Sequence, residues 1–270
     1  MKSNKPFAVF VSSSDSYSDI WDVFFSAFKR NWPGFDGLIY LQTEEKMYKH
    51  EGLNIVCTCV GKHKYFGETF RAGLDKIQEE HILLMMIDYL IMGPVLALKI
   101  ADYYQYFCQA ELDTLCLYPQ PFPLSHESVH PDLLVADMPA GKVMFGFQMA
   151  FWRKEILREM CLSHENPWMS EWYGSMRAEK MHIREEFLKK DVTMPILYDV
   201  RGCLHQGKWL DNAVAYLKNI GYSYDFNKRG MYVDKKGYNS LRYRFRIKWV
   251  IWITGIKGSY LDLLKRKPIH

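Results

Sequence analysis

The sequence predicts an α/β protein: a mixed, mostly parallel twisted sheet with helices on both faces. Three observations carry that expectation. Strand-like and helix-like segments alternate along most of the chain, the pattern that folds into a sheet covered on both sides. The run His81–Val95, HILLMMIDYLIMGPV, stays apolar without alternation up to one carboxylate, Asp88, and stops at Gly93-Pro94, as suits a strand buried on both faces. The chain also opens with an apolar strand, a small polar turn and a helix. These are Phe7–Val11, Ser12-Ser13-Ser14-Asp15, and a segment that sets Trp21, Phe24, Phe25 and Phe28 on one face.

The elements follow in order. Ser16-x-x-Asp19 has the form of a capping box with Asp in place of Glu, and Pro33 ends the first helix. Leu38–Gln42 and Asn54–Cys59 read as the next strands, and a helix runs from Phe66 to Gln78. After the buried strand at 82–87, Val95–Ala110 is helical and Thr114–Tyr118 is a strand, and Pro119, Pro121 and Pro123 then force an irregular loop. Lys142–Ala150 reads as a strand, Trp152–Cys161 and Trp168–Lys180 as helices, and Pro195–Val200 as a short strand. Lys208–Ile220 is an amphipathic helix closed by Gly221 in the C′ position. No internal repeat or low-complexity linker interrupts the pattern. The expected organisation is one domain over residues 1–221 and a basic aromatic extension over 222–270.

Bulk properties bound the function. The 270 residues suffice for one large α/β domain with a substantial core. A net charge of +4 is too small to point to a nucleic-acid partner. The 16% aromatic content suits sugars and nucleotide bases, but it also fills cores. Six cysteines without a CxxC pair, and a first apolar segment too short for an export signal, predict reduced thiols and a cytoplasmic location. No apolar run reaches the length of a membrane span. The tail interleaves Arg242, Arg244, Arg246, Lys248, Lys257, Lys265, Arg266 and Lys267 with Trp249 and Trp252. Such a segment either lies peripherally on an anionic membrane face or packs its apolar side on the domain.

The chain lacks a P-loop, a GxGxxG after a strand, HExxH, GxSxG and any zinc-spaced Cys/His set, which disfavours NTPases, dinucleotide oxidoreductases, zinc proteases and α/β-hydrolases. Three segments remain. Asp88, at a strand's C-terminal end, lies where open α/β sheets bind ligands; it is either a weak Mg or Mn ligand beside a diphosphate or a turn cap. In HENPWMSEWYGSMR, residues 164–177, Pro167 pre-sets a helix and Glu171 is expected in its first turn as a general base; Trp168 and Trp172, four apart, are placed to stack on a sugar. The same spacing fits a Glu that stabilises the helix dipole and two core tryptophans. In RGCLHQGKW, His205 and Lys208 beside Gly207 are placed to clamp a diphosphate.

Taken in order, these segments resemble a family of bacterial glycosyltransferases from capsule and lipopolysaccharide O-antigen clusters, with a GT-A fold. The matching pieces are Val11-Ser12-Ser13, Tyr17-Ser18-Asp19, Ile82–Leu90 with Pro94-Val95, Leu117–Pro121, Trp152-Arg153-Lys154, Asn166–Arg177 and Gly207-Lys208-Trp209. They span residues 7–221. Two departures stand out. Ile87-Asp88 replaces the family's Asp-Asp pair, and Trp168-Met169-Ser170-Glu171 keeps only the last Glu of its Trp-Glu-x-Glu.

The resemblance implies sugar transfer from a nucleotide-diphosphate donor to a hydroxyl of a surface glycan, free or lipid-linked, with inversion. It implies Ser12, Ser13, Asp15, Asp88, Tyr89, His205 and Lys208 at the donor, and Trp168, Trp172 and Arg177 at the acceptor. Glu171 would be the base, and Asp88 would hold the donor and, weakly, a metal. Two alternatives stay open: a non-catalytic nucleotide-sugar or glycan-binding subunit of a glycan-assembly complex, and a nucleotidyltransferase of similar build. The second is disfavoured because no Gly-rich basic loop follows the first strand.

Overall fold

A computed structural model describes residues 6–120, 125–136 and 145–233. Strands β1 (Phe7–Ser12), β2 (Leu38–Leu41), β3 (Asn54–Cys57) and β4 (His81–Met86) pair in parallel in the order β3-β2-β1-β4. The sheet continues through β8 (Ala150–Arg153), β5 (Thr114–Cys116), β9 (Glu185–Leu188), β7 (Leu133–Ala136) and β6 (Ser125–Glu127). Only β8 and β7 run against the rest, so seven of these nine strands point one way and the sheet is mixed but mostly parallel.

Helices cover both faces. Residues of α1 (Ser18–Asn31), α3 (Ala97–Gln109) and α6 (Asp211–Asn219) share one apolar cluster with Val9 and Val11 of β1. Residues of α2 (Phe66–Leu74), α4 (Lys154–Met160) and α5 (Pro167–Met181) share the other with Ala8 and Phe10. Successive β1 residues thus enter opposite cores, which is why neither β1 nor β4 shows a polar alternation. Leu83 and Met85 of β4 enter the first core, Ile82 and Leu84 the second. Trp21, Phe24, Phe25 and Phe28 of α1 are all buried, as their spacing predicts.

Several expectations shift. The Ser16/Asp19 capping box does not form: a short 3-10 turn, Asp15–Tyr17, precedes α1, and Asp19 instead receives Arg229 Nε at 2.7 Å. The strand expected at Lys142–Ala150 begins only at Ala150, and Trp152 belongs to it rather than to the following helix. Pro195–Val200 is a loop, held by Met92 N–H to Leu197 O at 2.8 Å and Leu96 N–H to Pro195 O at 2.9 Å. Lys208 and Trp209 form β11, paired with β10 (Leu204–His205), before α6 starts at Asp211. Residues 222–233 pack on the domain: Tyr224 O–H donates to Asp19 at 2.9 Å, its ring lies 5.2 Å from that of Trp209, and Tyr232 N–H donates to Trp209 O at 2.8 Å. The basic tail from 234 onward, with the membrane contact expected of it, lies outside the described residues, as do Pro121, Pro123 and Lys142. No helix among the described residues is long and apolar enough to cross a membrane.

One row across the sheet is electrostatically costly. Thr114 of β5 stands in register with Trp152 on one side and Glu185 on the other, so the three side chains share a face. Thr114 Oγ1, Trp152 Nε1 and Glu185 Oε2 are buried with no hydrogen-bond partner. Burial pushes the Glu185 carboxyl from 4.5 up to about 8. The folded chain therefore keeps a proton that the unfolded chain loses above pH 4.5. The Glu185 contribution to stability is most favourable below that pH, falls as pH rises towards 8, and then levels off. The cost at pH 7 is on the order of 3 kcal/mol. Glu185→Gln should flatten this slope in melting curves taken from pH 5 to 8; curves that stay parallel to wild type would refute the assignment.

Candidate active site

The site is built at the C-terminal ends of β1 and β4, where a parallel sheet presents backbone ends and loops to ligands. Two residues past β4, Asp88 follows Ile87, whose N–H donates to Ser12 O at 3.0 Å and extends the β1–β4 ladder. The Ile87 side chain enters the core, 4% exposed, while the half-buried Asp88 carboxylate lies against Gly202. The position occupied by a carboxylate in the resembling family is, in this chain, a core position.

A loop from α6's side closes on Asp88. The Asp199 carboxylate accepts from Arg201 N–H at 2.8 Å, from Arg201 Nη2 at 2.8 Å and from the Asn212 side-chain amide. That turn brings Cys203 N–H to Asp88 O at 2.6 Å and sets Gly202 at φ +80 against the carboxylate. A Cβ on Gly202 would lie 2.8 Å from Asp88 Oδ2, so both the space and the backbone angle require glycine. Enclosure pushes Asp88 up from 3.8 to about 6, because burial penalises its charge and only its own backbone N–H offsets it.

Glu171 arrives from α5. Asn166 caps that helix by accepting from Met169 N–H at 2.9 Å, and Pro167 occupies its first position, as the sequence predicts. Glu171 therefore stands in the second turn, not the first, and faces sideways onto residues 145–149 rather than along the helix axis. Phe145 N–H donates to Ser175 Oγ at 2.9 Å, and Phe147 N–H approaches Glu171 Oε1 at 3.5 Å. Burial raises the Glu171 carboxyl above its usual value, with the Phe147 N–H opposing. Burial first, then the charges of Asp88 and of Glu171, lift the Tyr89 phenol well above the ordinary range. Tyr89 follows Asp88 in the chain and accepts from Gln148 Nε2 at 3.1 Å, and Gln148 follows the Phe147 whose N–H approaches Glu171, so the three candidates adjoin one segment.

The other expected residues divide. Trp168 and Trp172 share the outer face of α5 with Met176, at 74%, 38% and 45% exposure, so they are available as a platform and are not core. Arg177 is not available: its guanidinium forks onto Glu165, itself 1% exposed, at 2.8 and 2.7 Å, and also donates to Met160 O at 2.6 Å. Ser12 and Ser13 are buried, with Ser13 Oγ accepting from Trp21 Nε1 at 2.8 Å and Ser13 O from Gln42 Nε2 at 2.8 Å. Asp15 ties down the loop after β2, accepting the backbone N–H groups of Glu44, Glu45 and Lys46 at 3.0 Å each. Burial opposes its charge, but these donors and Lys46 hold its carboxyl below the usual value. Ser13 and Asp15 thus spend their polar groups inside the fold, and the Ser12 carbonyl is taken by Ile87 N–H. His205 and Lys208 sit exposed across a tight hairpin whose turn, Gln206-Gly207, has positive φ at both positions (51 and 75).

A divalent metal finds little here. Asp88 supplies one carboxylate, and no group of three or more His, Cys, Asp or Glu side chains among the described residues is placed to hold an ion. Mg or Mn at Asp88 would have to draw its remaining ligands from water and from the diphosphate. The residues do not fit a metal held by the protein itself.

No family model matches the chain. No curated protein matches it either. Among solved structures it is similar to S. aureus TarS 1-349, a glycosyltransferase, at 12% identity and a TM-score of 0.44, over 69% of this chain and 58% of that one. It is similar to a mycobacterial protein at 11% identity and a TM-score of 0.43, over 82% and 76% of the two chains. A third similarity is to 2-C-methyl-D-erythritol 4-phosphate cytidylyltransferase from Thermus thermophilus, at 10% identity and a TM-score of 0.34, over 80% and 85%. Likeness of this degree bears on neither substrate nor mechanism, which rest on the site itself.

Three residues near that site escaped the sequence reading. Tyr198 O–H donates to Gln148 Oε1 at 2.9 Å, and Gln148 Nε2 donates to Tyr89 at 3.1 Å. Arg229 stacks its guanidinium 5.0 Å from the Tyr17 ring centre, and its Nη1 lies 3.5 Å from Gly207 O on the hairpin. Tyr17 in turn is raised by burial and then by the charge of Asp88, with Arg229 opposing, and the Arg229 guanidinium is itself forked onto Asp19. A lone Gln or Arg carries no spacing signal, and nothing in the sequence could have singled them out.

Proposed function

We propose that the chain is a glycosyltransferase that moves a sugar from a nucleotide-diphosphate donor to a hydroxyl of a surface-glycan acceptor, of the capsule or O-antigen type. The observation that carries this reading is two enclosed carboxylates, Asp88 at a strand end and Glu171 on α5, linked by contact: Tyr89 follows Asp88 and accepts from Gln148, and Phe147 N–H approaches Glu171. Burial raises both, and a carboxylate with a raised pKa is the stronger base. Glu171 removes the acceptor's hydroxyl proton as the acceptor oxygen bonds to the anomeric carbon. The bond from that carbon to the diphosphate breaks, and the diphosphate departs with the electron pair. Attack opposite the leaving group inverts the anomeric centre. Asp88 holds the donor by accepting from its hydroxyls, while His205 and Lys208 balance the departing negative charge. Trp168 and Trp172 offer the acceptor sugar an aromatic face next to the base.

A thermal-shift panel of UDP-glucose, GDP-mannose, dTDP-glucose and ADP-glucose tests the reading. One donor at a hundred times its Kd should stabilise the fold by about 2.7 kcal/mol, with the others far less effective. A panel without a binder would sink the proposal. A binder that is never turned over, with a glycan acceptor present, would favour the non-catalytic subunit instead.

A further inference from the structure

Gln148, Tyr198 and Tyr89 form a chain of hydrogen bonds whose direction is fixed from its buried end. Tyr198 is 4% exposed. Its oxygen accepts from Met149 N–H at 3.4 Å, and its own hydrogen goes to Gln148 Oε1 at 2.9 Å. With the amide turned the other way, two donors would meet at Tyr198 O, and the Tyr198 hydrogen would be buried without an acceptor, a substantial penalty. The carbonyl end of Gln148 therefore faces Tyr198. Its amide end then faces Tyr89 and donates to that phenol oxygen at 3.1 Å. Tyr89 has its acceptor capacity engaged from behind, and its hydrogen remains to be given forward. Asp88 is its neighbour in the chain, and Glu171 is reached by the N–H of Phe147, the residue before Gln148.

We infer that Gln148 and Tyr198 are positioning residues that leave the Tyr89 O–H as a donor, so that a ligand at this phenol must bring an oxygen acceptor beside Asp88 and Glu171. The two carboxylates there are acceptors themselves and can bind only ligand hydrogens. Tyr89 supplies the complementary donor, and a ligand hydroxyl at this place both gives and receives. A ring or bridging oxygen satisfies Tyr89 but leaves the carboxylates unmet. The arrangement selects a sugar carrying a free hydroxyl at that position over its deoxy counterpart. The inference leans on the proposed transferase reading only for the choice of ligand probe.

Two measurements test it. In the ligand-free protein, a slowly exchanging phenol proton should appear in the proton NMR spectrum, vanish in Tyr198→Phe and persist in Tyr89→Phe. If no such proton is lost with Tyr198, or if it is lost with Tyr89 instead, the direction of the chain is wrong and the inference falls. The second measurement is calorimetric titration with whichever of UDP-glucose, GDP-mannose, dTDP-glucose or ADP-glucose binds the wild type. Tyr89→Phe should weaken binding about three- to tenfold. Tyr198→Phe should weaken it by a similar factor, because the freed amide can turn and capture the Tyr89 hydrogen, and the double variant should be no worse than either single one. A Tyr198→Phe protein that melts earlier but binds as wild type, or losses that multiply in the double variant, would assign Tyr198 to packing alone. If none of the four nucleotide sugars binds the wild type, the transferase reading fails, while the phenol proton still decides the direction of the chain.

Discussion

Ile87→Asp is expected to unfold the protein, not to restore a second acidic ligand. In sequence the change looks like a repair, since it recreates the acidic pair of the resembling family. In the structure Ile87 is 4% exposed within the cluster that holds Val11, Met85 and Leu90, and its N–H is spent on Ser12 O. Losing the buried aliphatic side chain and placing an unpaired carboxylate there costs on the order of 5 kcal/mol, which rivals the whole stability of an ordinary domain. Circular dichroism melting of a graded set checks it: Ile87→Val should lose little, Ile87→Asn much, and Ile87→Asp most. An Ile87→Asp protein that melts like wild type and gains Mn-dependent nucleotide binding would show that the side chain can turn into the site, contrary to the packing described.

The second large effect falls on catalysis. Glu171→Gln keeps the shape and removes the base, so transfer should slow by about two to four orders of magnitude, while the Kd for the nucleotide sugar stays within about twofold. The pH profile supplies the sign. Enclosure raises the Glu171 carboxyl above 4.5, so the base is lost by protonation as pH falls through that raised value, and kcat should drop on the acid side. Asp88, raised to about 6, should act through its protonation on donor affinity rather than on the proton transfer. Saturating kinetics from pH 4.5 to 8 separates the two, since kcat/KM carries both limbs and kcat carries that of the bound complex. A Glu171→Gln enzyme with undiminished kcat would remove Glu171 from the mechanism.

Much of the frame was legible because local signals and burial agreed. Non-alternating apolar runs at Phe7–Val11 and 82–87 are both buried central strands, and the aromatic face of α1 is buried throughout. Where the readings failed, a tertiary partner overrode the local signal. β9 reads Glu185-Glu186-Phe187-Leu188, and two acids at its start hide a strand that lies wholly inside the sheet. Asp19 has the spacing of a capping residue, yet Arg229, 210 positions later, claims its carboxylate. Arg177 has the look of a ligand-binding cation, but the buried charge of Glu165 demands a partner and takes it.

The sequence by itself determined the α/β class, the strand that delivers Asp88 and the helix that carries Glu171. Each of these follows from hydrophobic period, caps and turn residues within a dozen positions of one another. Only the tertiary structure decided which polar side chains face a ligand. Asp15, Ser13 and Arg177 were consumed by backbone and buried charge elsewhere in the fold, while Gln148, Tyr198 and Arg229 were brought to the site across long separations in sequence. A buried polar group must find its partner wherever the fold provides one, and that competition is settled by the packing of distant segments rather than by anything local in the chain.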